Sequence, residues 1–222
     1  MHLLNDTNAF PRPRILVTGG AGYIGSHTVV ELWNAGYEPV IADNFSNSQR
    51  WIIDRINAII GRPVVLHEVD CCDYAALAGI VQRKGAFLGV IHFAAFKSVN
   101  GSIAEPEKYM HNNMRSLENV IRLVDEFHIP DLVFSSSCTV YGEPDQVPVT
   151  EETAWKPATS PYGLTKQLGE DLVRDRMPTG AIILRYFNPV GAHHSGLIGE
   201  VPDGPPANLV PYITQTLSLI HI

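Results

Sequence analysis

The sequence has little of what marks secreted, membrane or nucleic-acid-binding proteins. Cysteine is scarce: Cys71, Cys72 and Cys138 are the whole complement of a 222-residue chain. An adjacent pair plus one distant thiol fits neither a disulfide framework nor a zinc-ligand spacing, so a reducing, cytoplasmic setting is expected. Basic residues are outnumbered, 16 Lys and Arg against 23 Asp and Glu, for a net charge of −7. That excludes the basic footprint of a general nucleic-acid binder. No apolar run approaches the roughly 18 residues of a membrane span. The first residues, MHLLNDTNAFPRPR, lack a basic stretch leading into an apolar one and do not read as a secretory leader. Residues 1–13 read as a polar, proline-bearing, disordered extension.

What the chain does have is alternation. Short apolar runs begin at Arg14 (RILVT), Pro39 (PVIAD), Val64 (VVLHEV), Gly89 (GVIHFAA), Asp131 (DLVFSSS) and Ala181 (AIILRYF). Between them lie amphipathic stretches at about 24–35, 49–60, 73–84, 105–127 and 162–176. The Val, Ile and Leu of these runs lack polar alternation, which predicts strands buried on both faces. Strand and helix in alternation predict an α/β fold, a doubly wound parallel sheet with right-handed crossovers. After Phe187 the texture turns to Gly, Pro and His, which predicts a long loop over 188–206 and a short helix at about 208–216.

The first strand runs directly into TGGAGYIGSH. Gly20, Gly22 and Gly25 satisfy G-x-G-x-x-G, and Gly19, Gly22 and Gly25 satisfy G-x-x-G-x-x-G. Glycines alone make ordinary turns, but here they follow a predicted strand and open a predicted helix. That context is the dinucleotide fingerprint: a tight turn, close backbone approach to a pyrophosphate, and amides at a positive helix end. Asp43 ends the second strand 18 residues after Gly25, where a carboxylate accepts from adenosine ribose hydroxyls and repels a 2′-phosphate, favouring NAD over NADP. The alternative is a plain cap of the following turn. Further on, SPYGLTK sets Tyr162 four residues before Lys166, side by side on a helix face. An ammonium there is expected to lower the pKa of the phenol. His193–His194 has no carboxylate or cysteine at a suitable spacing, so no metal is expected.

The glycine pattern, the serine triplet ending the fifth run, and Tyr–x–x–x–Lys together resemble the extended branch of the short-chain dehydrogenase/reductase family. Within it, SSSCTVYG, SPYGLTK, LRYFNPVGAHHSG and NLVPYI are similar to the UDP-glucose 4-epimerase group. The resemblance implies a Rossmann domain over 14–187, a bound NAD, and interconversion of UDP-glucose and UDP-galactose through transient oxidation at C4. It implies Tyr162 as the catalytic base, Lys166 as its support and ribose contact, and Ser137 as the hydroxyl on the reacting sugar oxygen. Gly19, Gly22, Tyr23, Ile24 and Gly25 would hold the pyrophosphate. Asp43, Asn44, Asn47, Ser48, Asp70 and Cys71 would line the adenosine side. Phe93, Ala94, Ala95, Lys97 and Asn112 would complete the NAD site, with Phe187 beside the nicotinamide. Asn188, Asn208 and Leu209 would touch the UDP-sugar, and a homodimer is the family's common assembly.

Three alternatives stay open beside it, the first being another NAD-dependent nucleotide-sugar epimerase. A nucleotide-sugar 4,6-dehydratase of the same family would carry an Asp–Glu pair where Cys138–Thr139 stands, and the pair is missing. A non-catalytic NAD sensor would be expected to lose Tyr162 or Lys166, and both are kept. Residues 188–216 are expected to begin a small substrate-binding domain that relatives continue well beyond Ile222. The final LSLIHI departs from the family and matches the translation of a transposon-end sequencing adapter. Residues 217–222 are therefore expected to be a non-native tail, and the chain as written to be inactive by itself.

Overall fold

Each of the six apolar runs forms a strand in the computed structural model, which describes residues 11–177, 179–201 and 208–220. The strands are β1 (Arg14–Thr18), β2 (Glu38–Asp43), β3 (Val65–Glu68), β4 (Gly89–His92), β5 (Asp131–Ser137) and β6 (Ala181–Tyr186). They pair in parallel in the order β3-β2-β1-β4-β5-β6. This is the doubly wound arrangement whose strand order reverses between β1 and β4, and ligands bind beyond the carboxyl ends of the strands at that reversal.

The crossovers are α1 (Tyr23–Asn34), α2 (Trp51–Ile60), α3 (Tyr74–Lys84), α5 (Pro106–Glu126) and α6 (Pro161–Arg176). Val17, Ile41, Val29, Val30, Ile52 and Ile56 form one apolar layer between the sheet and α1–α2. Leu16, Val90, Leu132, Phe134, Leu77, Leu117, Leu123 and Val173 form the other, beneath α3, α5 and α6. Alternate residues of one strand thus enter opposite layers, and fully burying each such side chain contributes ~1.5–3 kcal/mol.

Three features differ from the expectations above. Strand β6 is not buried on both faces: Ile183 packs inward, but Ile182 is 59% and Leu184 40% exposed. It is the edge strand, and α1 and α2 cover the other end of that sheet face. A short helix, α4 (Val99–Ala104), stands where no element was expected. Ser98 caps it by accepting from the Gly101 amide. The last helix, α7 (Leu209–Ile220), runs past 216 because LSLI contains no breaker. Residues 217–220 of the expected tail thus continue α7, and 221–222 lie outside the described residues. The expected extension at 1–13 is anchored at its end. Arg12 donates to the Trp33 carbonyl at 2.7 Å and lies over the Trp33 ring, and the Pro13 carbonyl accepts from Glu38 N. Residues 1–10 lie outside the described residues.

Candidate active site

The glycine-rich turn is shaped by contacts that tolerate no side chain. Gly19 has φ +69°, and a Cβ there would sit 2.7 Å from Ala94 N. A Cβ on Gly25 would sit 2.2 Å from the Gly19 carbonyl oxygen. The turn is therefore pressed between α1 and the segment leaving β4. Gly22 caps α1 without a side chain, so the amides of the first turn keep their positive end free toward the turn. Asp43 binds the turn from the side: Oδ2 accepts from Ala21 N at 2.9 Å, and Oδ1 accepts from Phe45 N and Ser48 Oγ, each at 2.9 Å. A carboxylate has about four acceptor positions, so Asp43 caps its own turn and keeps one position for a ligand. The alternative reading of Asp43, as a cap of its own turn, is thus met by the structure.

Beside the turn opens a cleft of ≈ 560 Å³, counted out to bulk solvent. Of the residues expected at a cofactor, Gly19, Gly22, Asp43, Asn44, Asn47, Ser48, Asp70, Cys71, Phe93, Ala94, Ala95 and Asn112 line it. Ser46 and Phe96, inside the expected spans 43–48 and 93–97, line it too, as do Val69 and Ser116, which were not anticipated. A glycine-floored cradle, a carboxylate at the end of β2 and free helix amides fit a dinucleotide such as NAD.

Tyr23, Ile24 and Gly25 form the start of α1 behind this wall. Tyr23 donates its hydroxyl to the Gly191 carbonyl at 2.6 Å. Burial, followed by the Glu200 charge, raises that phenol. Lys97 points elsewhere, to Glu200 Oε1 at 3.3 Å. Phe187 is 57% exposed, with its ring 6.4 Å from that of Tyr141. The same stretch carries the described part of the long loop. Ile198 is buried among the α1–α2 layer, while Glu200 accepts from both Lys97 and Asn208. Residues 188–201 thus strap the carboxyl ends of the strands from β6 across to α1. Asn188 and Leu209 are exposed on this strap and on the first turn of α7. Residues 202–207 lie outside the described residues.

Ser137, Tyr162 and Lys166 are all buried. Ser160 caps α6 by accepting from Gly163 N at 3.0 Å, and Pro161 opens its first turn. Ser137 ends β5 and caps a 3-10 turn, Cys138–Tyr141. Lys166 Nζ donates to the Ser135 carbonyl at 2.7 Å and stands 5.7 Å from the centroid of the Tyr162 ring. The electrostatics correct the expectation of a lowered tyrosine. Burial raises the Tyr162 phenol above its ordinary value, the Ser137 hydroxyl pulls it down, and the Cys138 thiol pushes it up. Lys166 itself is driven down to about 8 by burial, with Glu170 acting against that. Proximity at i, i+4 is present, but desolvation outweighs it for both groups.

Asn113, missed beside the anticipated Asn112, joins the two halves. Its Nδ2 donates to the Phe96 carbonyl at 3.0 Å and to Thr165 Oγ1 at 3.2 Å, and its Oδ1 accepts from Phe96 N at 2.9 Å. One amide therefore ties the cleft wall to the helix turn that carries Tyr162 and Lys166. The available signal was HNN inside an amphipathic helix, where asparagine is otherwise a poor choice. Among the described residues no cluster of His, Cys, Asp or Glu could hold a metal ion.

Residues 15–217 match the NAD dependent epimerase/dehydratase family. The UDP-glucose 4-epimerase of Dictyostelium discoideum is 50% identical over 207 residues, 91% of this chain and 60% of its own length. That of Bacillus subtilis is 46% identical over 205 residues, 90% of this chain and 60% of its own. The chain therefore spans about 60% of the length of these curated relatives. A crystal structure of UDP-glucose 4-epimerase from Bifidobacterium longum, in complex with NAD+ and UDP, superposes with a TM-score of 0.88 at 42% identity, covering 92% of this chain and 62% of that one.

Proposed function

The chain belongs to the NAD dependent epimerase/dehydratase family, and from that premise we propose that it interconverts UDP-glucose and UDP-galactose. The reaction is reversible oxidation at C4 of the sugar, with NAD held in the glycine-floored cleft. The observation that carries this reading is the meeting of Ser137, at the end of β5, with Tyr162 and Lys166 of α6, all three buried, on a helix that Asn113 ties to the cleft wall. NAD, when bound, supplies reversible hydride acceptance at the sugar carbon.

The protein's own residues handle the proton and the binding. Tyr162 takes the proton of the 4-hydroxyl and returns it, with Ser137 hydrogen-bonding the same oxygen. Lys166 commits one of its three N–H donors to Ser135, which leaves two for a ribose hydroxyl and the phenolate. For Tyr162 to act as a base near pH 7, its pKa must fall by roughly three units from 10, about 4 kcal/mol of charge stabilisation. Burial opposes this in the isolated chain, so positive charge brought by the loaded site must supply it. Asp43 favours NAD over NADP by repelling a 2′-phosphate. Asn188, Asn208 and Leu209 contact the UDP-sugar.

The free thiols fit a cytoplasmic setting, and no described helix is long and apolar enough to cross a membrane. A second copy docks along α6, where Leu164 and Leu168 lie one turn apart and partly exposed. The test is incubation of the intact polypeptide carrying this sequence with UDP-galactose, with the nucleotide sugars separated chromatographically. UDP-glucose should accumulate to equilibrium. A protein that retains NAD and converts neither sugar would reject the reading.

A further inference from the structure

Helix α6 aligns a third group with its tyrosine and lysine. Tyr162, Lys166 and Glu170 follow one another at four-residue steps and share one face, and each meets the serine run that ends β5. The Ser137 hydroxyl acts on Tyr162. The Ser135 carbonyl accepts from Lys166 Nζ at 2.7 Å, and Ser136 Oγ donates to Glu170 Oε1 at 2.5 Å. Glu170 has no exposed surface. Its remaining contacts are ionic: Arg185 donates through Nε to Oε1 at 2.9 Å and through Nη2 to Oε2 at 2.8 Å, and Arg174 Nη2 donates to Oε2 at 2.6 Å. Arg185 carries the link further, to the Tyr141 hydroxyl at 2.8 Å and the Glu151 carbonyl at 3.1 Å.

A buried carboxylate forked by arginines is a costly way to fill a core, since well-packed apolar side chains often do as well or better. What an apolar residue could not supply is charge. Around Lys166 stand the Phe134 ring at 5.0 Å, the Tyr162 ring, the Ser135 carbonyl and, from β4, a histidine (His92) that burial keeps neutral. From β6 comes the Arg185 cation, paired to Glu170. Glu170 is the carboxylate whose charge favours the Lys166 ammonium. Given the proposed roles of Tyr162 and Lys166, we propose that Glu170 is a positioning residue for that pair. It clamps α6 onto the ends of β5 and β6 and supplies the negative charge that keeps the buried Lys166 an ammonium ion. The clamp also fixes Arg185, three residues before Asn188, and so sets where β6 delivers its end.

Lysine labelled with ¹³C at Cε reads the effect directly. The lysines are Lys84, Lys97, Lys108, Lys156 and Lys166, and Lys166→Arg identifies the signal of interest. In NAD-free protein Lys166 should titrate near 8. Glu170→Gln should lower its midpoint by about one pH unit, the size of shift a nearby opposite charge produces. Mere loosening of the helix would hydrate the amine and move the midpoint the other way. A folded Glu170→Gln protein with an unmoved or raised midpoint overturns the proposal. Should that variant not fold, Arg174→Gln replaces it. Arg174 is 48% exposed, and removing its cation should raise the Lys166 midpoint; no movement overturns the proposal equally. Neither measurement involves NAD or sugar, so absence of turnover would count against the function and leave these midpoints in place.

Discussion

At the scale of single residues, the site divides into groups whose role follows from their neighbours in sequence and groups whose role does not. The placement of Tyr162, Lys166, Asp43 and the glycines was legible because short spacings that a helix or a strand end imposes fix it. Lys97 and Phe187 were not, because the direction of a long side chain on a loop is set by distant partners, Glu200 and Tyr141. The Tyr162→Phe protein should retain NAD and lose roughly 10²–10⁴-fold in turnover, the usual contribution of a positioned acid–base group. Chromatographic rates with UDP-galactose measure this, and near-normal turnover would remove Tyr162 from the mechanism. His92 yields a pH prediction. Its Nδ1 shares a hydrogen bond of 2.7 Å with Thr18 Oγ1, and burial, then the Lys166 charge, pushes it down to about 3. The unfolded chain therefore binds this proton first, so the stability His92 contributes is present above about 6.5 and lost as pH falls toward 3. Between about pH 6 and 4 the unmodified protein should lose up to about 1.4 kcal/mol per pH unit more than His92→Asn. Urea melts across that range would show equal slopes if His92 were protonated in the fold.

At the scale of elements, the close contact between α1 and the glycine turn governs both folding and the cleft. In Gly25→Ala the new methyl meets the Gly19 carbonyl at 2.2 Å, and backbone on both sides leaves nothing flexible to yield. Denaturant titration should register a loss of about 2–3 kcal/mol, toward the upper end for overpacking, together with weaker NAD binding. Full stability would mean that α1 can slide away from the turn. All six strands were readable because apolar β-branched runs between turn signals have few other uses in a parallel sheet. Helix α4 was not: VNGSIA contains glycine and β-branched residues, and the structure holds it by the Ser98 cap and by its seat against α5 and α6, neither of which is visible in six letters. The unbroken apolar run of β6 misled for a related reason. Its composition matches the central strands, but among the described residues the layer beneath α1 and α2 does not extend over the face that carries Ile182 and Leu184.

At the scale of the whole molecule, the order of strands reaches its reversal at the cleft, and the strap over 188–201 ties the far edge of the sheet back to its beginning. Ile198 is 4% exposed and packs with Ile15, Val17, Val29, Val30, Ile41, Ile52 and Ile56. Every other buried member of that layer lies at or before Ile56, and the partly buried residues packed against it reach no further than Phe93, so this one contact closes the longest loop in the layer. Closing so long a loop carries an entropic penalty that must be met before the contact rewards it. The contact should consequently be absent from the folding transition state and form as a late, latching step. Ile198→Ala is then expected to cost about 2–4 kcal/mol, appearing as faster unfolding with refolding rate unchanged. Stopped-flow chevrons would refute this if the refolding limb dropped instead. A latch of this kind makes the lifetime of the native state, and with it resistance to proteolysis of the first sixty or so residues, depend on a side chain delivered from the opposite end of the sheet.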